Sequence, residues 1–277
     1  MLIVYCDGAL HQGSTDSAYR FKDASLYFRG ADNVRSHFKW LQNNFNFSSA
    51  SKVLLTGASA GATATYLWSA YVKEMLKDPM ALYSVVDSGV FMNAPTPETG
   101  RFKFAEQLQM LAQVANVNEK TPLTRCNRAQ HAGEEFNCFF IQNAFTSVDS
   151  KMLLINSQYD SWALEHIIDA KCLTDGKQGK SLASCSPSEL SNIEVYRKLY
   201  LNFISYFIQL TRNGVWSISC SQHVYASYSE FYNSSIQKVP ESTGETVKTA
   251  IERFVLDNQR VDSRDQAPWP SNSACAN

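Results

Sequence analysis

Ser59 lies at the centre of the run Gly57-Ala58-Ser59-Ala60-Gly61, which matches the pattern G-x-S-x-G. In that pattern the serine occupies a sharp turn between a strand and a helix, and small neighbours let the two elements approach closely. An apolar run, Val53–Leu55, comes before the motif, and a long helical pattern follows it. Ser59 is therefore a candidate nucleophile. The alternative interpretation is a small residue in a tight connection.

A serine hydroxyl becomes a good nucleophile only when a base accepts its proton and an acid orients that base. In enzymes with this turn, the acid and then the histidine follow later strands of the sheet. Asp160 follows the predicted strand Met152–Ile155, and His223 follows the predicted strand Val215–Ser219. The order and spacing favour Asp160 as the orienting acid and His223 as the general base.

Other polar residues compete for these roles. Asp87 ends an intermediate predicted strand and is a second candidate acid, although a turn or helix-cap carboxylate is the alternative. The remaining four histidines fall in a loop, a helical stretch, a cysteine-flanked segment and a probable helix; they are His11, His37, His131 and His166. Only His223 combines a strand end with the expected chain order.

The elements that must position these residues alternate between strand and helix. Six short apolar runs have the composition of buried parallel strands: Leu2–Tyr5, Ser25–Phe28, Val53–Leu55, Leu82–Val86, Met152–Ile155 and Val215–Ser219. Four segments have helical patterns: Val34–Leu41, Ala62–Leu76, Ala105–Val114 and Ile193–Leu210. This alternation predicts an α/β fold in one domain, 1–277, with a mostly parallel sheet flanked by helices and with loop excursions outside it.

Composition excludes several classes of protein. Of the 277 residues, 44% are apolar and 18% are charged, which is typical of a globular chain rather than a disordered one. The net charge of −1 gives no reason to expect nucleic acid or an anionic membrane as a partner. No apolar run approaches the roughly 18–20 residues of a transmembrane helix, and the opening Met1–Tyr5 is too short for the core of a signal peptide.

Seven cysteines without C-x-x-C spacing, and only five histidines, argue against a metal site. No cofactor is required by the predicted chemistry. Scattered cysteines are typical of disulfides in an oxidising compartment, which predicts a secreted protein. Two glycosylation sequons, at Asn46 and Asn233, agree with that localisation, although such triplets are common by chance.

Several pieces of the chain resemble, in order, the pectin acetylesterase/Notum family of secreted carboxylesterases with the α/β-hydrolase fold. They are Tyr5-Cys6-Asp7-Gly8, Phe28-Arg29-Gly30, Gly57-Ala58-Ser59-Ala60-Gly61, Asp87-Ser88-Gly89, Cys138-Phe139-Phe140, Asn156-Ser157-Gln158-Tyr159-Asp160-Ser161-Trp162 and Ser219-Cys220-Ser221-Gln222-His223. The resemblance implies that Ser59 is the nucleophile, Asp160 the acid and His223 the base. Ala60, the residue after the nucleophile, supplies one oxyanion donor through its N–H.

The family pattern begins upstream of Met1, with a strand and a Gly-Gly-Trp-Cys-like segment that supplies the second oxyanion donor. We therefore expect this chain to lack that strand and that loop, either as a fragment of a longer enzyme or as a shortened, inactive relative. Cys6 would then form a disulfide with a residue of the absent segment. Proximity and order along the chain suggest three internal disulfides: Cys126–Cys138, Cys172–Cys185 and Cys220–Cys275.

The resemblance implies two substrate types, an acetyl ester of a pectin-like polysaccharide and a fatty acyl ester on a signalling protein. We expect a monomeric enzyme that deacetylates polysaccharide, with a Notum-like deacylase, a catalytically inactive binding protein and a peptidase as alternatives. Four aromatic residues near the proposed site either stack on sugar rings or pack the site loops: Tyr159, Trp162, Tyr225 and Tyr228.

Overall fold

The computed structural model describes residues 1–277 except 118–125, 127–128, 132, 149, 175–181, 211, 241–243 and 274–277. The strands are β1 (Tyr19–Phe21), β2 (Ala24–Leu26), β3 (Val53–Ala58), β4 (Leu82–Asp87), β5 (Lys151–Ser157), β6 (Gly214–Ile218) and β7 (Asp262–Arg264). The α-helices are α1 (Gly30–Asn44), α2 (Ala60–Glu74), α3 (Lys103–Val114), α4 (Ile141–Ala144), α5 (Ser161–His166), α6 (Lys171–Thr174), α7 (Pro187–Phe207), α8 (Ser229–Tyr232) and α9 (Val247–Val255). Short 3-10 helices span Phe47–Ser49, Pro79–Ala81, Glu135–Phe139, Phe145–Ser147 and Leu182–Ser184.

Strands β3 to β7 form one parallel sheet in the order β3-β4-β5-β6-β7. Helices lie between most of the successive strands along the chain. Helices α1, α2 and α7 contribute to a core on one face of the sheet, and α9 contributes to a second core on the other. The predicted α/β class, with a mostly parallel sheet flanked by helices, is confirmed.

The central strands form because their apolar runs are buried on both faces. All six residues of β4 and all five of β6 are buried. Val86 and Leu154 face the first core, whereas their neighbours Val85 and Leu153 face the second. Burial on both faces explains why these sequences lack the polar alternation of a solvent-facing strand.

Strand β3 is an edge of the sheet in the described part of the chain. Its residues alternate between partly buried and exposed along the first four positions, so β3 is less covered than β4. An open groove of about 1090 Å³ runs along this edge between 1–5 and 53–61. The groove reaches Ser59, which places the candidate nucleophile at an accessible position.

Two predicted strands are wrong. Leu2–Tyr5 is not a strand, and its apolar side chains are largely exposed because it pairs with none of the described strands. Ser25–Phe28 was expected to be a buried parallel strand, but Ala24–Leu26 forms an exposed antiparallel hairpin with Tyr19–Phe21. The three-residue edge strand β7 is polar and was not predicted.

The four predicted helices correspond to α1, α2, α3 and α7, with shifted ends. The largest shift is at α7, which begins at Pro187 rather than at Ile193. Ser186 and Glu189 form a capping box, and the proline occupies the first turn, so local capping starts the helix earlier than its apolar periodicity suggests. Helix α9 was not predicted.

Two of the predicted disulfides, Cys126–Cys138 and Cys172–Cys185, are confirmed. The predicted Cys220–Cys275 pair involves residue 275, which lies outside the described residues. Cys6 is exposed and its thiol is free within the described part of the chain. None of the described helices combines the length and the apolar character that crossing a bilayer requires.

The different burial of β5 and β3 gives a stability prediction. Replacing Leu154, which is fully buried in β5, by alanine is expected to lower the free energy of unfolding by about 2–5 kcal/mol. The matched change Leu54→Ala, at an exposed position of β3, is expected to cost less than about 1 kcal/mol. Urea denaturation of both variants measures these values, and equal losses would contradict the burial described here.

Candidate active site

Ser59 occupies the turn between β3 and α2. Its backbone has φ +56° and ψ −119°, a conformation that residues other than glycine rarely adopt. The Ser59 N–H donates to the Asp87 carbonyl at 2.9 Å, and the Ser59 carbonyl accepts from the N–H groups of Ala62 and Thr63. The surrounding hydrogen bonds thus hold a strained residue in place, which is characteristic of functional turns.

Only the first glycine of the motif is required by close packing. A Cβ atom added to Gly57 would lie 2.3 Å from the Gly61 carbonyl oxygen and 2.4 Å from its carbonyl carbon. A Cβ atom added to Gly61 would meet nothing within 4 Å. The strand therefore approaches the first turn of α2 closely at Gly57, as the small residues of the motif predicted, while Gly61 faces open space.

Asp160 follows β5 and caps α5. Its carboxylate, which is 3% exposed, accepts from the Ala163 N–H at 3.0 Å. The same carboxylate contacts His223, with Nδ1 at 2.8 Å from Oδ2 and 3.0 Å from Oδ1. Because a carboxylate accepts hydrogen bonds, this contact assigns the ring proton to Nδ1 and leaves Nε2 free to accept a proton.

The structure joins Asp160 to His223 but does not join His223 to Ser59 by a hydrogen bond within the described residues. Nucleophile–base contacts are often longer without substrate than in the reacting complex, so this geometry does not remove Ser59 as a candidate. Ser59, Asp160 and His223 each follow a strand of the same parallel sheet: β3, β5 and β6 respectively.

Burial and charge act in opposite directions on the His223 ring. Burial lowers the pKa of His223, but the hydrogen bond from the ring to Asp160, with the negative charges of Asp160 and Asp87, raises the pKa by more. The net result is a pKa above the ordinary histidine value. The site therefore stabilises the protonated ring, which is the form a general base reaches during catalysis.

Asp87, the rival acid, does not contact the imidazole through a hydrogen bond. It is 1% exposed, and its carboxylate accepts from the N–H groups of Tyr225 and Ala226 and from the Ser88 hydroxyl. Burial raises the pKa of Asp87, and the two backbone N–H donors oppose that rise. Of the two interpretations of Asp87, these contacts match the loop carboxylate rather than the ring partner, although the sequence did not indicate which backbone N–H groups it accepts from.

The other histidines lie apart from this pair. His11 is buried in a loop, and burial lowers its pKa. His37 lies in α1 and contacts the Asn33 carbonyl, His131 is exposed, and His166 is exposed at the end of α5. In the described part of the chain, His223 is the only histidine with a hydrogen bond to a carboxylate.

Buried polar residues connect the acid turn to the base loop. Ser157 donates to the Cys220 carbonyl and accepts from the Tyr159 N–H. The Gln158 side chain accepts from Arg197 at 2.8 Å and from the Ser219 hydroxyl at 3.3 Å. Each of these buried groups has a partner, so the two segments are held together beneath the Asp160–His223 pair.

The four aromatic residues near the site separate into two kinds. Tyr159 and Tyr225 are fully buried and pack the site loops, whereas Tyr228 is exposed. Trp162 is partly buried, and its ring lies 6.2 Å from the His223 ring and 4.8 Å from the Phe91 ring. Trp162 therefore forms a wall beside the candidate base.

No group of three or more His, Cys, Asp or Glu side chains within the described ranges has an arrangement that could hold a metal ion.

The sequence of this chain is similar to those of known pectin acetylesterases. The family model described as pectinacetylesterase matches residues 1–276. Pectin acetylesterase 5 of Arabidopsis thaliana is 23% identical over 282 residues, which cover 99% of this chain and 63% of the relative. Pectin acetylesterase 11 of the same plant is 25% identical over 223 residues, which cover 79% of this chain and 55% of the relative. The chain thus spans about three fifths of the length of these relatives.

The asymmetry between the two glycines gives a prediction. Gly57→Ala is expected to lower the free energy of unfolding by about 2 kcal/mol or more, because the methyl group would overlap the Gly61 backbone. The control Gly61→Ala, in the first turn of α2, is expected to be neutral or to stabilise by up to about 1 kcal/mol. The midpoints of urea unfolding report both effects. A Gly57→Ala protein as stable as the control would show that the close approach is absent.

Proposed function

We propose, since the chain belongs to the pectinacetylesterase family, that it hydrolyses acetyl esters of a pectin-like polysaccharide with Ser59, His223 and Asp160 as a catalytic triad. The observation that carries this proposal is the buried Asp160–His223 pair, which follows β5 and β6 of the sheet in which β3 leads to the strained Ser59 turn. The names of the relatives, pectin acetylesterases 5 and 11, support the substrate class.

In the proposed reaction, Nε2 of His223 accepts the Ser59 proton as Oγ attacks the ester carbonyl carbon. The tetrahedral intermediate collapses, and the sugar hydroxyl leaves with the proton from His223. Water then attacks the acetyl–serine ester by the same route, which releases acetate and restores Ser59. Asp160 holds the Nδ1–H tautomer and stabilises the imidazolium that forms in each step.

The oxyanion of each tetrahedral intermediate needs hydrogen-bond donors. Ala60 is the first residue of α2, and the N–H groups of a helix's first turn have no acceptor within the helix. The N–H of Ala60 is therefore available as one oxyanion donor, and the positive end of the helix dipole favours the developing negative charge.

Two further features support a secreted enzyme that acts on a large substrate. The two described disulfides are typical of proteins from oxidising compartments. Ser59 is partly exposed and lines an open groove, so a substrate can reach it from solvent. The partly buried Trp162 offers an aromatic ring next to the base, where a sugar could stack.

The first functional prediction concerns the nucleophile. Ser59→Ala is expected to abolish release of acetate from acetylated pectin and hydrolysis of p-nitrophenyl acetate, because no Oγ remains to attack the ester. The matched control Ser49→Ala, at an exposed position that ends a 3-10 helix, is expected to retain wild-type activity. Circular dichroism first confirms that both variants fold. Acetate release is then measured for each and compared with wild type. An active Ser59→Ala enzyme would refute the proposed triad.

The acyl preference distinguishes deacetylation from removal of a fatty acyl group. We expect p-nitrophenyl acetate to be hydrolysed with a higher kcat/KM than the palmitate ester. A preference for palmitate would instead support the fatty acyl deacylase.

The second functional prediction concerns the acid. Asp160→Asn is expected to reduce kcat by about 10³–10⁴, since the ring loses its orienting carboxylate. It also removes the hydrogen bond and one of the charges that raise the His223 pKa, while the burial that lowers this pKa remains. Because the base works only when neutral, the acid limb of the kcat/KM profile should move to lower pH.

The control for this change is Glu165→Gln, which removes a charge from the same helix, α5, without touching the Asp160–His223 contact. It is expected to leave kcat and the pH profile close to wild type. An acid limb that stays in place in Asp160→Asn would show that His223 is not the titrating base.

A further inference from the structure

The loop that carries His223 has a strained backbone immediately after the histidine. Val224 has φ +71°, a conformation that is a clear outlier for a β-branched residue. Such a conformation is energetically unfavourable and persists only where surrounding contacts hold it. The contacts that hold this loop therefore decide where the imidazole lies.

Three successive N–H groups of the loop point to the end of β4. The Val224 N–H donates to the Ser88 hydroxyl oxygen at 2.9 Å. The Tyr225 N–H donates to both carboxylate oxygens of Asp87, at 3.0 and 3.1 Å, and the Ala226 N–H donates to Oδ2 at 2.7 Å. Two adjacent residues of the sheet thus hold the segment 224–226 by its main chain.

Asp87 and Ser88 are themselves fixed. Both are buried, and the Ser88 hydroxyl donates to Oδ1 of Asp87 at 3.1 Å. The Ser88 N–H donates to the Ile155 carbonyl at 2.7 Å, which extends the pairing between β4 and β5. Because the Asp87 carbonyl also accepts from the Ser59 N–H, one residue contacts the nucleophile turn through its backbone and the base loop through its side chain.

Among the described residues, every hydrogen bond to the Asp87 carboxylate comes from a backbone N–H of the loop or from Ser88. Nδ1 of His223 already forms its hydrogen bond with the Asp160 carboxylate. Asp87 therefore has the geometry to set the position of the ring without being its proton partner, and nothing in this arrangement requires it to touch substrate.

We propose that Asp87 is a positioning residue, which holds the strained segment 224–226 so that the His223 ring stays within reach of Ser59. This inference rests on the proposed function, because its main consequence is a slower chemical step. Removing the carboxylate would let the loop relax at Val224 and move the ring. A misplacement of about 1 Å can cost about 10²-fold in rate.

The test compares Asp87→Ala with Asp87→Asn. We expect Asp87→Ala to lower kcat for p-nitrophenyl acetate about 10²-fold and to change KM less than threefold, because the substrate contacts remain. Asp87→Asn keeps one oxygen to accept from the Tyr225 and Ala226 N–H groups, and its amide can donate to the Ser88 hydroxyl oxygen. It is expected to recover at least tenfold of the lost kcat.

A second measurement does not depend on ester turnover. The N–H groups of 224–226 are expected to exchange with deuterium faster in Asp87→Ala than in wild type, while peptides from β5 remain unchanged. The control Asp78→Ala removes a carboxylate that accepts from the Met80 N–H before the opposite end of β4. It is expected to alter neither kcat nor exchange in the His223 loop.

The possible outcomes are distinguishable. A folded Asp87→Ala protein with wild-type kcat, or an unchanged exchange rate in 224–226, would overturn the positioning role. If Asp87→Ala does not fold, Asp87→Asn decides: faster exchange confined to 224–226 with reduced kcat supports the role, and wild-type values for both overturn it. The proposed function fails on a different result, namely that the wild-type protein releases no acetate. In that case the exchange comparison alone tests whether Asp87 holds the segment 224–226.

Discussion

The parallel pairing of β3 to β6 is the constraint on which the candidate site depends, because it brings four strand ends to one edge of the sheet. The pairing continues beyond the strands themselves. The N–H of Ser59 donates to the Asp87 carbonyl, that of Ser88 to the Ile155 carbonyl, and that of Gln158 to the Ile218 carbonyl. The Ser59 turn, the end of β4 and the turn that carries Asp160 are therefore positioned by main-chain hydrogen bonds.

Burial then determines the electrostatics at that edge. A buried carboxylate is costly unless charged or polar groups compensate it, and Asp160 has both the Ala163 N–H and the His223 ring as partners. The ring is also mostly buried, which by itself favours its neutral form. The carboxylates of Asp160 and Asp87 overcome this effect, so the same burial that excludes water strengthens the interaction between these charges and the ring.

The sequence predicts those parts of the fold in which a local pattern matches burial. Strands β4, β5 and β6 are apolar on both faces, and both faces are covered. Leu2–Tyr5 has the same composition but is not paired, since composition reports how readily a strand forms and not whether a neighbour is present. The short polar strand β7 is held by the pairing of its backbone with β6, which no side-chain pattern reveals.

The candidate site shows the same division. Chain order predicted that Asp160 and His223 would meet, and they do, because topology fixes which strand ends can lie together. Chain order could not predict the role of Asp87. Its carboxylate contacts the backbone of Tyr225 and Ala226, which lie 138 and 139 positions further along the chain. A backbone N–H is the same for almost every residue type. Such a contact therefore requires a particular side chain only at the acceptor, and the sequence shows no matching residue type at the donor. The polar groups that hold a catalytic loop by its main chain are therefore the part of an active site that sequence patterns are least able to predict.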